Sequence, residues 1–185
     1  AEVMAKLALA AGRPVDGHAP GLSGRDLSAY ISASIGSDHE CTSIEEAREK
    51  MRSGMHIMLR EGSAAKNLRD LLPLFTAKNA ARFLFVSDDR HPADLLGQGH
   101  IDFMVRTAVE QGLEPIVAIE IASINAACYF GLPHLGAIAP GYRADMAILD
   151  SLESLRPVRV IKDGAVMAEE GRLCVPLKRA GEASR

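Results

Sequence analysis

Four stretches of this chain repeat one order: a short apolar segment, a polar turn and then a helical pattern. The apolar segments have the length and composition of strands, and in chain order they are Arg13–Gly17, Gly36–His39, Met55–Leu59 and Arg82–Val86. Strands that alternate with helices are typical of a parallel sheet, because each parallel connection needs a long crossover. The sequence therefore predicts an α/β fold with four parallel strands.

Capping residues and stop signals place the helices. Ser43 and Glu46 form a capping box before a predicted helix Ile44–Arg52, which Gly54 ends. Ser23 and Ser63 are predicted to begin the helices on either side of it, which run to about residues 34 and 74. The other predicted helices are Ala1–Ala11, Ala93–Gly97, Ile101–Gln111 and Pro115–Phe130.

Side chains suited to chemistry follow each predicted strand. His18, His39, Arg60 and Asp88 stand just past the four strand ends, at successive spacings of 21, 21 and 28 residues. Each spacing corresponds to about one strand–helix unit. The carboxyl ends of parallel strands lie at one rim of the sheet, where barrel enzymes carry their active sites. We therefore expect these four side chains to converge.

Two histidines and an aspartate at such positions form a candidate metal site. Neutral imidazoles and a carboxylate suit Zn, Mn or Fe rather than Ca, and a metal held there lowers the pKa of a bound water. Each residue alone also has a simpler interpretation, with His18 in a turn, His39 in a solvated loop, and Asp88 or Asp89 as a helix cap. Asp88 is preferred to Asp89 because it is closer to the strand.

A polar cluster follows the third predicted strand. It comprises Arg60, Glu61 and Ser63, followed by Lys66 and Asn67. Two interpretations remain equally open: the cluster binds substrate, or it is a capped helix start with a surface ion pair.

The sequence pattern changes after the last predicted helix. Ala144–Leu149 and Val158–Lys162 are predicted strands, and the Asp163–Gly164 turn predicts that Ala165–Ala168 pairs back as a hairpin. We place a domain boundary near residues 133–136. The predicted division is a barrel part, 1–135, a β part, 136–175, and a flexible tail, 176–185.

Four strand–helix units make half of an eight-stranded barrel. Half a barrel exposes two sheet edges, which folded proteins normally avoid. The other half is missing, or two chains complete each other, or the sheet is open and doubly wound. Because the chain opens without Met inside a helical pattern and closes on a polar segment, we expect both ends to be cuts or tags.

Composition excludes several classes of function. The net charge of −3 offers no basic surface for nucleic acid or an anionic membrane, and no apolar run approaches the roughly 20 residues of a membrane span. Cys41, Cys128 and Cys174 form neither a zinc motif nor a disulfide framework, and they suit a reducing cytosol. We expect a cytoplasmic protein without a signal peptide.

Five motifs follow one another in a specific order. They are VDGHAPGLSG (Val15–Gly24), SDHECTS (Ser37–Ser43), MLREGSAAKNL (Met58–Leu68), FVSDDRHP (Phe85–Pro92) and GAIAPGYRADMAILD (Gly136–Asp150). Together they resemble the bacterial-type adenine deaminases of the amidohydrolase superfamily nearly end to end. The resemblance implies the C-terminal half of a (β/α)8 TIM-type barrel, strands 5–8 with their helices, plus part of a small β domain.

The resemblance also implies roles for single residues. His18 matches the histidine after barrel strand 5, His39 the histidine after strand 6 and Asp88 the aspartate after strand 8. These positions ligate or neighbour one or two divalent metals, for which the resemblance suggests Mn or Fe, with Zn possible. Asp88 would also carry a proton from the attacking water to the leaving group, and Glu40 would be a second catalytic residue. The expected substrate-binding residues are Arg60, Glu61, Ser63 and Asp89.

The implied reaction converts adenine to hypoxanthine and ammonia. The superfamily's His-x-His after strand 1 does not occur in this chain, so we expect the isolated chain to be inactive and leave open whether it retains metal. Open strand edges favour self-association as a homo-oligomer. Two alternatives remain: an amidohydrolase acting on a cyclic amide or imine, and a non-catalytic dimerising module.

Overall fold

The computed structural model describes residue 6 and residues 8–176. They belong to two compact units, Ala1–Gly136 and Ala137–Arg185. The predicted N-terminal helix lies partly outside the described residues, although Lys6, Ala8 and Leu9 are helical. All but the first residue of the predicted tail, 176–185, lies outside them.

The first unit is built on a parallel sheet. Its strands are β1 (Val15–Gly17), β2 (Ile35–Asp38), β3 (His56–Arg60) and β4 (Phe83–Val86), and they lie in the order β1-β2-β3-β4. All three neighbouring pairs are parallel, so the predicted α/β class is confirmed. Within the described part of the chain, β1 and β4 each pair on one side only.

Helices connect and follow these strands. They are α1 (Gly24–Ser32), α2 (Ile44–Arg52), α3 (Leu68–Leu71), α4 (Pro92–Gly97), α5 (Ile101–Glu110), α6 (Pro115–Ala122) and α7 (Ile124–Tyr129). Two short 3₁₀ turns, Leu72–Leu74 and Ala80–Arg82, stand before β4. Because each of the first three strands is followed by a helix, the carboxyl ends of the strands share one rim.

Two helix predictions are wrong in detail. Ser63 does not begin a helix, because its hydroxyl is engaged with Asp94 and with the His91 backbone amide, and α3 begins only at Leu68. The predicted helix Pro115–Phe130 is broken at Ser123, whose backbone leaves the helical region with φ −126° and ψ −85°.

The core of the first unit lies around β3. Ile57 and Leu59 are fully buried and Met58 nearly so, as are Phe83 and Leu84 on the adjoining strand. Ile57, Met58 and Leu59 point to alternate faces of β3 and are all buried, so both faces of this central strand are covered, as in other parallel sheets.

The second unit is an antiparallel meander. Its strands, β5 (Met146–Leu149), β6 (Pro157–Lys162), β7 (Ala165–Glu169) and β8 (Arg172–Leu173), pair in chain order. Asp163 and Gly164 connect β6 to β7 with positive φ angles of 49° and 79°. Two such residues form the turn whose twist matches a hairpin, which explains why this pair of strands was predictable.

Across the residues that the structure describes, no helix is both long and apolar enough to cross a membrane.

The α2 cap gives a stability prediction with a matched control. Ser43 Oγ accepts the backbone N–H of Glu46 at 3.2 Å, whereas Ser23, in the same position before α1, makes no side-chain cap bond. Ser43→Ala should therefore lower the free energy of unfolding by about 1 kcal/mol, and Ser23→Ala by clearly less. Urea unfolding of both variants measures the difference, and equal losses would contradict the assignment of the cap.

Candidate metal and catalytic site

Three polar side chains meet at the carboxyl ends of β1 and β2. His18 follows β1 directly, and His39 and Glu40 follow β2. His18 Nδ1 and His39 Nε2 each lie 3.4 Å from Glu40 Oε1, and the two ring centroids are 5.6 Å apart. One potential ligand atom from each residue lies within 4.8 Å of the others. The rim therefore presents two nitrogen donors and one carboxylate to a common point.

Arg60, the last residue of β3, binds the carboxylates of this site. Nη1 donates to Glu40 Oε1 and, at 2.8 Å, to Asp88 Oδ2, and Nη2 donates to Glu40 Oε2 at 3.0 Å. Burial disfavours the charged guanidinium, but the hydrogen bonds to Glu40 and Asp88 outweigh it and raise the pKa of Arg60. The buried Arg60 Nε has no hydrogen-bond partner in the described part of the chain, which leaves one donor for a ligand.

Asp88 reaches the site through Arg60. Asp88 Oδ2 accepts a hydrogen bond from Arg60 Nη1, and Asp88 lies outside the cluster of potential ligands that His18, His39 and Glu40 form. Its backbone φ of 46° lies in the left-handed region, which costs a residue other than glycine about 1–3 kcal/mol and is typical of functional sites. The strain turns the chain sharply where it leaves β4.

Two of the predicted substrate-binding residues connect the loops that follow β3 and β4. Asp89 Oδ2 accepts the Ala64 backbone N–H at 3.0 Å. Ser63 Oγ hydrogen-bonds with Asp94 and accepts the His91 backbone N–H at 2.7 Å. In this structure both side chains are used to fix the loops around the rim.

Glu61 is the third predicted substrate-binding residue in these loops. Its side chain is almost fully buried, 3.7 Å from Lys66 Nζ. Burial raises the pKa of Glu61, and the neighbouring cations Lys66, Arg69 and Arg90 only partly oppose the rise. Arg90 also donates to the Glu61 carbonyl oxygen at 2.9 Å, so this residue is held at both backbone and side chain.

A buried lysine supports the loops that carry the histidines. Lys50, in α2, is fully buried, and its Nζ donates to Ala19 O at 2.5 Å, Glu46 Oε1 at 2.6 Å and Asp38 Oδ2 at 2.8 Å. Burial disfavours the ammonium, but hydrogen bonds to Asp38 and Glu46 raise the pKa of Lys50 above its ordinary value. Ala19 and Asp38 are the sequence neighbours of the two site histidines, so one ammonium joins both loops.

A second group of potential ligands surrounds the same ammonium. Asp38, Cys41 and Glu46 have ligand atoms within 4.8 Å of one another, but Lys50 Nζ already binds both carboxylates. Burial, followed by the charge of Asp38, raises the pKa of the Cys41 thiol far above its usual range. This group is therefore an internal ion cluster with a neutral thiol.

Sequence reasoning missed the residues that support the site. Lys50 and Asp38 were not singled out, although a lysine in the amphipathic α2 helix and an aspartate before His39 were visible signals. Asn67 was noted only as part of a polar cluster. Its side chain accepts from the Arg60 backbone N–H at 2.6 Å and donates to the carbonyl oxygens of His39 and Cys41, both at 3.1 Å.

A family model matches most of the chain. Residues 1–167 match the model of the amidohydrolase family, and the chain therefore belongs to that family. A solved structure of the β-aspartyl dipeptidase from Fervidobacterium islandicum superposes with a TM-score of 0.70 at 20% identity, over 97% of this chain and 55% of that one. At that identity the likeness shows the shared fold alone.

Sequence similarity is higher to one group of enzymes within that family. The adenine deaminase of Kosmotoga olearia is 52% identical over 167 residues, which are 90% of this chain and 29% of that protein. Adenine deaminase 2 of Carboxydothermus hydrogenoformans is 53% identical over 171 residues, 92% of this chain and 30% of that protein. The resemblance seen in the five motifs is thus confirmed, and the chain spans less than a third of these relatives' length.

The Lys50 cluster gives a sharp stability prediction. Lys50→Met removes the cation and leaves buried Asp38 without its charge partner, so we expect a loss of about 3–5 kcal/mol in the free energy of unfolding. Lys162→Met, at an exposed ion pair with Asp145, serves as the matched control with an expected loss of about 1 kcal/mol or less. Chemical denaturation of both variants tests this.

A double variant separates the charge from the packing. Asp38→Asn in the Lys50→Met background should cost less than it does in the wild-type chain, because it then removes a buried charge that has already lost its partner. Strictly additive losses would show that Lys50 stabilises the chain by packing alone.

Proposed function

We propose that this chain provides part of the catalytic site of an adenine deaminase, which converts adenine and water to hypoxanthine and ammonia. The observation that carries the proposal is the convergence of His18, His39 and Glu40 at one rim, with Arg60 connecting Glu40 to Asp88. Similarity to adenine deaminases supports the choice of substrate. The parent enzyme would act in purine salvage in the cytoplasm as a homo-oligomer.

In this proposal the parallel sheet is strands 5–8 of a (β/α)8 barrel. Residues 1–135 would form the barrel part and residues 136–175 part of a small β domain. Four parallel strands in chain order support this, as does the coverage of little more than half of a related solved structure. The His-x-His ligands of the superfamily are absent from this chain, which supports the expectation that the chain alone is inactive.

The donor set fits a divalent metal. His18 and His39 supply imidazole nitrogens beside the Glu40 carboxylate, and Asp88, which Arg60 also binds, is our proposed carboxylate ligand. Imidazole and carboxylate donors suit Mn or Fe, our preferred choices, and also Zn. Asp38 and Lys50 keep the loops carrying the two histidines close together, which favours a preformed pair of ligands. When bound, the metal would supply Lewis acidity and an activated water.

The chain's own residues would then orient and move protons. Arg60 holds Glu40 through two parallel hydrogen bonds, a geometry that fixes a carboxylate plane. Glu40 would therefore present a fixed oxygen to the purine ring, and the unpartnered Arg60 Nε offers a donor to a ring acceptor. Asp88 would take a proton from the attacking water and give it to the departing amino group. A C–O bond forms at the ring carbon, and its C–N bond breaks to release ammonia.

The decisive test is deamination by a polypeptide that contains this chain together with the superfamily's His-x-His segment. Hypoxanthine formation and ammonia release from adenine should both be measured. We expect His39→Ala and Asp88→Asn each to lower kcat by about 100-fold or more. Asp102→Asn, at an ion pair with Arg106 in α5, is the matched control and should leave kcat unchanged.

Two outcomes would contradict the proposal. Hydrolysis of a dihydropyrimidine or an imidazolone, with no action on adenine, would assign the site to a different cyclic amide or imine. A normal kcat in Asp88→Asn would remove Asp88 from the proton-transfer step.

Metal content tests whether the chain itself holds the part of the metal site that His18, His39 and Asp88 would form. After manganese loading and desalting we expect about one equivalent in the wild-type chain, and loss of that metal in His18→Ala. The His100→Ala variant is the control because His100, the residue before α5, belongs to neither group of potential ligands among the described residues. Metal retained equally by all three proteins would contradict the ligand assignment.

A further inference from the structure

A chain of hydrogen bonds leads from α7 to a candidate metal ligand. The Tyr129 hydroxyl donates to Ser37 Oγ at 2.6 Å, and Ser37 Oγ donates to Asp16 Oδ1 at 2.6 Å. The other oxygen of Asp16, Oδ2, lies 2.9 Å from His39 Nδ1. Ser37 is fully buried, whereas Asp16 is partly exposed. The path joins residues separated by 113 positions, from Asp16 to Tyr129, in one connected series.

Strand register explains why these groups meet. Asp16 pairs with Ser37 between β1 and β2, and Ser37 pairs with His56 between β2 and β3. Paired residues of parallel strands project to the same face, so the three form a row across the sheet. The Tyr129 ring packs on His56 with centroids 4.7 Å apart, which places its hydroxyl at Ser37.

The direction of the hydrogen bonds determines the protonation of His39. Asp16 Oδ1 accepts from both Ser37 Oγ and the Gly17 backbone N–H, and an ionised carboxylate has acceptors only. The contact from His39 Nδ1 to Asp16 is the shorter one, 2.9 Å against 3.4 Å from Nε2 to Glu40, which favours the proton of a neutral His39 on Nδ1. Its Nε2 is then an unprotonated acceptor, on the side of the ring that faces Glu40 at 3.4 Å, and this is the form that a metal ligand requires.

We propose that Tyr129 is a positioning residue of the site, which acts through Ser37 and Asp16 to hold the His39 ring in its Nδ1-protonated form. The Tyr129 hydroxyl orients the Ser37 hydroxyl toward Asp16, and that bond holds the partly exposed Asp16 carboxylate where Oδ2 accepts from His39 Nδ1. Without it the carboxylate can turn away, and His39 can instead carry its proton on Nε2 and donate to Glu40. The inference rests on the proposed ligand role of His39. The tautomer, however, exists without a metal and is measured separately.

A purely structural role for Tyr129 predicts different behaviour. Its ring packs on both His56 and Phe130, and Tyr129→Phe keeps that packing while removing the hydroxyl. Ser37→Ala interrupts the same path at its centre without touching the ring. If the hydroxyl acts through Ser37, both changes should produce one and the same effect on His39.

The experiment is NMR of the metal-free chain with ¹⁵N-labelled histidine, above the ordinary histidine pKa of about 6.5. The wild-type His39, assigned by its loss in His39→Asn, should be protonated at Nδ1. Tyr129→Phe and Ser37→Ala should each introduce the Nε2-protonated form, and the double variant should add nothing further. Ser32→Ala, which removes a hydroxyl that bonds to the Ser28 carbonyl oxygen within α1, is the matched control and should leave the His39 signals unchanged.

Metal affinity provides a second readout. We expect Tyr129→Phe to weaken Mn²⁺ binding by about threefold to tenfold, and Asp16→Asn by about 10- to 100-fold, with the unfolding midpoint of Tyr129→Phe unchanged. If Tyr129→Phe fails to fold, Ser37→Ala and Asp16→Asn test the same path.

The outcomes separate this inference from the proposed function. A wild-type His39 protonated at Nε2, or an unaltered tautomer in Tyr129→Phe, would overturn the positioning role. A changed tautomer with unchanged metal affinity would support the positioning role and would instead contradict His39 as a ligand.

Discussion

The buried ion pair between Lys50 and Asp38 holds the ends of β1 and β2 together. Asp38 accepts the Ala19 backbone N–H and the Lys50 ammonium, and that ammonium also binds the Ala19 carbonyl oxygen. The loop after β1 and the end of β2 are therefore both joined to Lys50 of α2. A buried charge that loses its partner is far more costly than an exposed one, so this pair favours a single arrangement of both loops.

Alternation along β2 assigns its residues to two different tasks. Asp38 contacts α2 on one face of the sheet, whereas Ser37 belongs to the row that leads to Tyr129. The next residue, His39, is therefore held in two ways. Its backbone follows Asp38, which Lys50 of α2 binds, and its side chain contacts Asp16. A strand of four residues, Ile35–Asp38, can fix the side chain that follows it because each face has its own polar network.

Arg60 determines the electrostatics of the rim. It brings one positive charge to Glu40 and Asp88, and it is itself nearly buried. Carboxylates that share a cation at such short range are restricted in both position and orientation. Arg60 therefore organises the acidic groups, and its buried Nε is left without a hydrogen-bond partner among the described residues.

The sequence by itself determined the α/β class, the hairpin at Asp163–Gly164 and the rim positions of His18, His39, Arg60 and Asp88. Each of these features depends on a local pattern, because the length of a strand, the residues of a turn and the spacing of motifs all lie within about 20–30 consecutive positions. The Ser63 helix start failed because distant partners, Asp94 and His91, engage its hydroxyl. Only the tertiary structure decided that Lys50 is buried beneath the rim and that the Tyr129 hydroxyl reaches Ser37, 92 residues away. The partner of a side chain across such a separation is set by packing and by strand register, and no local sequence pattern contains either.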